Sequence, residues 1–414
     1  MWRDIIKSGG ILFSGVAISR CLMFLYRYIC MRTLSTADYG KLALIISLFV
    51  SLLTFAHFNM GTALSKFFSE TRQRNPEDNL VLLLNTLVLA LVTSSFSSLI
   101  MIWFLKDIGL LSPMMGLLCV FGFFLLSIAI ISGGALRGFF KMKLSASIDV
   151  LSGGARFIFI LLITILGYRS LKEATMVYFG ATVVPFGFSV LMVKSMLYCE
   201  NKNKLSKLID FEIMKKIINF SKYLTFASLS LYIMWFFSRW ILTSISYKSV
   251  AIYDGAMLIY SILQMGFAAI VVALVPYISK QASIGKEKLE FPPAKKIIFP
   301  YLIVLVILFG IKVLSIDQRF LIAIGLKKYV SCLPLFYIMF LAAPVDLLFG
   351  ISSGILQGLG KTRELFNVVL SVFPIHIIGT YLFARYKGEY GVAIMFIFTY
   401  IILARLGYIK VMNV

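Results

Sequence analysis

The chain has 414 residues, of which 60% are hydrophobic and 14% are charged, and its formal net charge is +22 at pH 7. A soluble domain carries about 25% charged residues, so this composition excludes a soluble globular protein. The basic residues are spread over many short segments rather than gathered on one face, which is typical of charge beside membrane helices. The sequence therefore predicts no nucleic-acid partner.

Apolar residues are grouped in blocks of about 20, the length that an α-helix needs to cross a bilayer. No block shows the alternation of a membrane β-barrel strand. We therefore predict an all-α, polytopic membrane protein with twelve transmembrane helices. In chain order, the predicted spans are 8–31, 41–61, 80–105, 109–136, 145–167, 174–197, 220–245, 250–276, 296–316, 330–356, 364–385 and 390–409.

Orientation follows from the loop charges. Lys and Arg residues show an excess of about two to one on the side that carries both termini, which predicts that both termini are cytoplasmic. The segment Ile311–Lys328 is rich in basic residues on the opposite side, and a short interfacial helix is expected there.

A polar, Lys-rich stretch, Cys199–Lys222, divides the spans into six and six and is predicted to form a cytoplasmic amphipathic connector. The predicted domains are thus a lobe at 1–198, the connector at 199–222 and a lobe at 223–414. The two halves resemble each other: ISGGALRGFFK at Ile131–Lys141 and ISSGILQGLGK at Ile351–Lys361 are identical at six of eleven positions. Two six-helix lobes related by a pseudo-two-fold axis along the membrane normal are expected, with a site between them.

Charged side chains within the predicted spans are the candidate functional residues, because a charge in hydrocarbon is costly and normally faces protein or water. Four arginines fit a cationic cavity lining for substrate binding, and two aspartates are candidates for coupling or for ion pairs. The arginines are Arg20, Arg27, Arg156 and Arg239, and the aspartates are Asp149 and Asp346. Interhelical ion pairing remains an alternative for all six, and snorkelling to the interface remains one for Arg27 and Arg239.

Catalytic and metal-binding motifs are not evident. The five cysteines show no paired spacing, and His57 and His376 are the two histidines of the chain, each expected to be a hydrogen-bonded structural residue. There is no P-loop, zinc motif or nucleophile triad. The chain is therefore predicted to be no enzyme and to need no cofactor or metal.

Several stretches resemble a known family. RTLSTADYGKLALIISLFVSLLTFAHFNMGTALSKFFSE at Arg32–Glu70 resembles the opening of polysaccharide exporters. ISGGALRGFFKMKLSASIDVLSGGARF at Ile131–Phe157 resembles their junction between spans four and five, and ILQGLGKTRE at Ile355–Glu364 resembles its second copy. The whole chain is similar to the Wzx-type O-antigen flippases of the multidrug/oligosaccharidyl-lipid/polysaccharide (MOP) exporter superfamily.

The resemblance implies a MATE-like fold in the bacterial inner membrane and a role in polysaccharide or lipopolysaccharide biosynthesis. The implied activity is flipping of an undecaprenyl-diphosphate-linked oligosaccharide from the cytoplasmic to the periplasmic leaflet by alternating access. Implied partners are this lipid-linked oligosaccharide, membrane lipids and other polysaccharide assembly proteins. One alternative is a drug or cation antiporter of the same fold, although its cavity should be acidic. The other is a membrane-embedded glycan polymerase or transferase, although that would need a long extramembrane loop.

Overall fold

The computed structural model describes residues 2–71, 78–200, 210–262, 264, 278 and 316–412. All regular structure within these ranges is helical, as predicted. The helices are α1 (Trp2–Thr33), α2 (Thr36–Ala56), α3 (Met60–Thr71), α4 (Asp78–Asp107), α5 (Pro113–Gly138), α6 (Met142–Ile165), α7 (Leu171–Gly180), α8 (Val183–Glu200), α9 (Phe211–Leu242), α10 (247–262), α11 (Ile316–Ala323), α12 (Cys332–Phe340), α13 (Ala343–Gly358) and α14 (Thr362–Met412), with a single 3-10 turn at Lys327–Tyr329 between α11 and α12.

Local sequence explains several helix starts. Ser112 accepts a hydrogen bond from the Met115 N–H at 3.3 Å, and a proline follows it at the first helical position of α5. At α7, Ser170 and Glu173 form a capping box in which the Glu173 carboxylate accepts from the Ser170 N–H at 2.6 Å. These caps satisfy backbone donors that would otherwise lack partners at the ends of the spans.

Membrane-spanning helices dominate the described chain. Eight of its helices are long and apolar enough to cross a bilayer, and α12 with α13, bent by 51°, would make a ninth. The prediction of an all-α, multi-span membrane protein is confirmed. The predicted ninth span, 296–316, lies outside the described residues apart from its last residue, and the predicted eighth span, 250–276, is described as a helix at 247–262.

Helix α14 contains two spans rather than one. Gly388 has φ 57° and ψ −136°, a conformation that glycine adopts and other residues avoid. The chain reverses its direction at this residue. The two arms then pack antiparallel: His376 Nδ1 lies 2.7 Å from Thr399 Oγ1, and Lys410 Nζ lies 2.8 Å from Glu364 Oε2. The predicted eleventh and twelfth spans are therefore present as the two arms.

The second span is interrupted, which the sequence did not predict. Between α2 and α3 the chain makes a turn at His57, Phe58 and Asn59, and the last two residues have φ of 46° and 48°. His57 Nδ1 accepts from the Asn59 N–H at 3.1 Å, and Thr93 Oγ1 donates to the Ala56 carbonyl at 2.6 Å. The polar groups freed by the break are thus paired inside the protein, and His57 has the structural role expected.

The predicted connector needs correction. Residues 201–209 lie outside the described part, but Phe211 begins a continuous helix of 32 residues that ends at Leu242. The second half of the predicted connector is thus the first three turns of the seventh span and not a separate surface helix. The short helix expected near Ile311–Lys328 is found as α11.

Contacts divide the chain into two compact units. The first comprises Met1–Thr33 and Ile45–Phe236, and the second comprises Leu34–Leu44 and Phe237–Val414. The centre of the first unit holds an aromatic cluster in which Phe49 packs against Phe123 and Phe179 with ring centroids 4.4 and 5.1 Å apart. The predicted lobes at 1–198 and 223–414 stay a prediction.

Candidate functional site

Arg20 lies within the apolar span of α1, and its side chain is exposed in the protein. Tyr232 of α9, in the same unit, is close enough to interact with it electrostatically. No carboxylate among the described residues forms an ion pair with Arg20. This guanidinium is therefore available to a ligand.

Arg27 follows Arg20 by seven residues, so it lies on the same face of α1. It is half-buried and has protein partners, and Cys30 is among its electrostatic neighbours. Arg27 thus lies on the same face of α1 as Arg20, but its side chain is less exposed than that of Arg20.

Arg156 is buried in the first unit, where neutral groups satisfy it. Its Nη1 donates to Ser152 Oγ at 2.7 Å and its Nε donates to the Tyr178 carbonyl at 3.3 Å. The guanidinium also lies 4.6 Å from the centre of the Tyr178 ring, within cation–π range. Arg156 thereby ties α6 to α7, and at 5% exposure it is not presented to a ligand.

Asp149 interacts with an arginine that the sequence analysis did not single out. Its electrostatic partner is Arg137 of α5, whose Nη1 also donates to Ser145 Oγ at 3.2 Å. Arg137 is the arginine of the ISGGALRGFFK motif, and its counterpart in the second copy is Gln357. A charge present in one copy and absent from the other was the signal that could have identified it.

Arg239 is held in a buried ion pair in the second unit. Its Nε and Nη2 each lie 2.8 Å from Asp254 Oδ1, and the Tyr39 hydroxyl donates to Oδ2 of the same carboxylate at 2.8 Å. Arg239 was among the candidates predicted from the sequence, whereas Asp254 was not. A second match between the halves, at an offset of 214 residues, aligns Ala37 with Ala251 and Tyr39 with Tyr253, and it places Asp254 opposite Gly40. That departure from the first copy was the sequence signal of Asp254.

Asp346 lies in the first turn of α13, directly after the 51° bend that follows α12. Its Oδ2 accepts from the Tyr260 hydroxyl at 2.9 Å and from Gln264 Nε2 at 2.8 Å. Both donors are neutral, and no basic side chain among the described residues pairs with this carboxylate. In the part of the chain that the structure describes, this carboxyl group is therefore held by neutral hydrogen-bond donors.

His376 has the structural role predicted for it. It is buried and lies within hydrogen-bond distance of the hydroxyls of Ser238, at 3.1 Å, and Thr399, at 2.7 Å. Within the described ranges, no group of three or more His, Cys, Asp or Glu side chains is placed to hold a metal ion.

Solved structures share this fold. A multidrug-resistance MATE-family transporter of the MOP superfamily in an inward-facing conformation matches with a TM-score of 0.73 and 17% identity, over 94% of this chain and 93% of its own. A MOP-superfamily transporter from Pyrococcus furiosus, described as having a binding pocket of reversed polarity, matches with a TM-score of 0.73 and 16% identity over 98% and 95%. An outward-facing MATE-family transporter matches with a TM-score of 0.69 and 18% identity over 98% and 95%. The expected MATE-like fold is thus confirmed.

No curated protein matches the chain by sequence. A family model described as polysaccharide biosynthesis protein matches residues 5–281, which is more than half of the chain and includes most of the stretches on which the resemblance rests. The chain therefore belongs to the polysaccharide biosynthesis protein family and has the fold of the MOP-superfamily transporters.

Proposed function

We propose that this protein moves an undecaprenyl-diphosphate-linked oligosaccharide, an O-antigen unit or a similar repeat, from the cytoplasmic to the periplasmic leaflet of a bacterial inner membrane. Family membership and a transporter fold support transport for polysaccharide assembly. The observation that carries the choice of substrate is Arg20, an exposed guanidinium in a membrane span without a carboxylate partner in the described chain.

Arginine suits a diphosphate head group. A charge within a span is costly in hydrocarbon, so an exposed one is expected to face water or a charged ligand. The planar guanidinium binds phosphate oxygens in pairs and stays protonated in a poorly hydrated environment. The diphosphate and sugars would pass near Arg20 while the polyprenyl tail stays in lipid, so that the protein opens alternately to the two membrane faces.

The four candidate arginines receive different roles in this proposal. Arg20 contacts the diphosphate. Arg27, seven residues further along the same face of α1, is the second cation that the head group meets. Arg156 and Arg239 are engaged by buried partners, so we assign both a structural role.

Asp346 is proposed as the coupling residue. Among the described residues its carboxylate is held by two neutral donors, Tyr260 and Gln264, so it can exchange a proton or accept a cation without breaking an ion pair seen there. The same observation favours a second candidate function, a cation-coupled drug antiporter of this fold. The two functions differ in cargo: the flippase requires a diphosphate anion near Arg20, whereas an exporter of cationic drugs does not.

Transport assays with matched variants test the proposal. The wild type should restore glycan export in a strain lacking its oligosaccharide flippase, and Arg20→Ala should abolish export at unchanged membrane abundance. Arg20→Lys should retain part of the export, because it keeps the charge. Arg405→Ala, which removes an exposed arginine near the end of α14, serves as the control and should export normally.

The same strains separate the two functions. Resistance to cationic drugs without restored export in any glycan background would contradict the flippase and support the antiporter. Normal export by Arg20→Ala would be compatible with the flippase function but would show that Arg20 does not bind the substrate.

A further inference from the structure

A groove of about 770 Å³ lies on the first unit, where α1, α6 and α8 meet. Its lining includes Gly10, Ile11, Ile18 and Lys143, and Phe188 forms the wall contributed by α8. None of these residues belongs to the cationic path or to the ion pairs described above. The volume is within the range of sites that hold one small organic ligand.

Small residues let α1 and α6 pack closely beside the groove. Helices α1 and α6 touch at Gly15, where an added Cβ would lie 2.6 Å from the Ala146 Cβ, and at Gly153, where it would lie 2.5 Å from the Ser19 carbonyl oxygen. These contacts advance together along both helices, so α1 and α6 are parallel and begin at the same membrane surface. Nothing lies within 4 Å of the position that a Cβ of Gly10 would occupy, so the space beside this residue is open.

The chemistry of the lining is that of a lipid site. The walls are apolar along the span, and the exposed Lys143 stands one residue after the start of α6, near the membrane surface. Within the described chain no acidic residue pairs with Lys143. The hydroxyls of Ser14 and Ser147 already donate to backbone carbonyls at 2.8 and 3.0 Å, which leaves few polar donors for a sugar.

We propose that this groove binds one anionic phospholipid, with an acyl chain along Ile18 and Phe188 and the phosphate on the Lys143 ammonium. A basic group at the lip of an apolar cleft between membrane helices attracts anionic head groups, and each lysine near the surface contributes about 1 kcal/mol. Such a lipid fills the space that Gly10 leaves open. The inference does not depend on the proposed function.

Two variants of the full-length protein test the site: one removes the charge that would bind the phosphate, and the other fills the apolar groove. Lys143→Gln removes the charge and should weaken binding of phosphatidylglycerol about fivefold, the factor that corresponds to one lysine. Gly10→Leu places a side chain in the groove and should remove the bound lipid. Gly187→Leu is the matched control: this helical glycine of α8 also has nothing within 4 Å and does not line the groove.

Native mass spectrometry of the purified protein, titrated with phosphatidylglycerol and with phosphatidylcholine of the same chains, measures the outcome. The site is supported if the wild type and Gly187→Leu retain one phosphatidylglycerol, Lys143→Gln binds it about fivefold more weakly, and Gly10→Leu loses it; unchanged binding by Lys143→Gln overturns the assignment of the phosphate to Lys143. Equal retention of phosphatidylcholine, or unchanged binding by Gly10→Leu, overturns the proposal. Preferential displacement of phosphatidylglycerol by a polyprenyl phosphate also overturns it, because the occupant would then be the substrate-type lipid. Since Lys143→Gln changes an exposed residue, its result stands even where Gly10→Leu is poorly expressed.

Discussion

Arg239 and Asp254 form a buried ion pair in which two guanidinium nitrogens lie 2.8 Å from one carboxylate oxygen. The pair joins α9 to α10, and Tyr39 at the start of α2 donates to the second oxygen of the same carboxylate. An arginine that the sequence places among substrate-binding candidates is thus neutralised by a residue fifteen positions later. Its role is to hold together the parts of α2, α9 and α10 that lie in the second unit.

Breaking this pair should destabilise the protein rather than impair transport alone. Asp254→Asn removes the carboxylate charge that faces the buried Arg239 guanidinium, which costs about 3–5 kcal/mol of unfolding free energy. We expect lower membrane abundance and a lower melting temperature in detergent. Arg239→Met combined with Asp254→Leu removes both charges and should recover most of the loss.

The surface pair Lys410–Glu364, also 2.8 Å apart, provides the comparison. Its side chains are 43% and 35% exposed, so solvent screens the interaction and Lys410→Ala should change the melting temperature little. If Asp254→Asn melts like Lys410→Ala, the ion pair has no structural role.

Arg156 should behave as a structural arginine, in contrast to Arg20. Arg156→Ala removes the hydrogen bonds of the guanidinium to Ser152 and to the Tyr178 carbonyl, and it removes the contact with the Tyr178 ring, at a cost of at least about 2 kcal/mol. Arg156→Lys should be almost as unstable, because a lysine lacks the planar donor fork. Melting temperature and membrane abundance measure this. If Arg156→Ala is stable but fails to export, Arg156 has a role in substrate binding rather than a structural role.

Asp346→Asn should stop or slow export while the protein remains folded. The amide keeps the shape of the side chain and its acceptor oxygen for Tyr260 and Gln264, but it can neither release a proton nor carry a negative charge. Export should fall at normal abundance and lose its dependence on the ion gradient. Tyr260→Phe serves as a second variant, since it removes one donor and leaves the carboxylate. Unchanged export and unchanged gradient dependence in Asp346→Asn would exclude a coupling role.

The sequence predicted the parts of this fold that depend on composition and length. Blocks of about 20 apolar residues were sufficient to identify most spans, because each must satisfy its backbone hydrogen bonds within one helix. The break at Phe58 and Asn59 was not predictable, since neither residue is a glycine or proline. Their left-handed conformation is accompanied by contacts with α9, where the Phe58 ring packs against Phe226 and Asn59 Nδ2 donates to Thr225 Oγ1.

The candidate site was also only partly predictable. A sequence shows that an arginine lies within a span, but it does not show the partner of that arginine. Arg239 meets Asp254 and Arg20 lies exposed because of how the helices pack.

Gly388 should tolerate no side chain. At φ 57° and ψ −136° a Cβ would clash with the backbone, at a cost of about 1–3 kcal/mol, and the reversal between the two arms of α14 depends on this residue. Gly388→Ala should therefore lower the melting temperature, whereas Gly187→Ala, at an open helical position, should leave it unchanged or raise it. Equal melting temperatures for the two variants would contradict the backbone argument.

Reporter fusions should place both termini and the segment before α9 in the cytoplasm. The expectation rests on the two-to-one excess of Lys and Arg on that side, which sets orientation during insertion. The structure adds a constraint, because the antiparallel arms of α14 place its first residues and the C-terminus on the same membrane face.

Alkaline phosphatase fused after Lys204 or after Met412 should be inactive, and a green fluorescent protein fused there should fluoresce. A fusion at Gly388, in the reversal between the arms, provides the internal control and should give the opposite pattern. Phosphatase activity at Lys204 with fluorescence at Gly388 would invert the orientation, and the direction of transport proposed above would then have to be inverted with it.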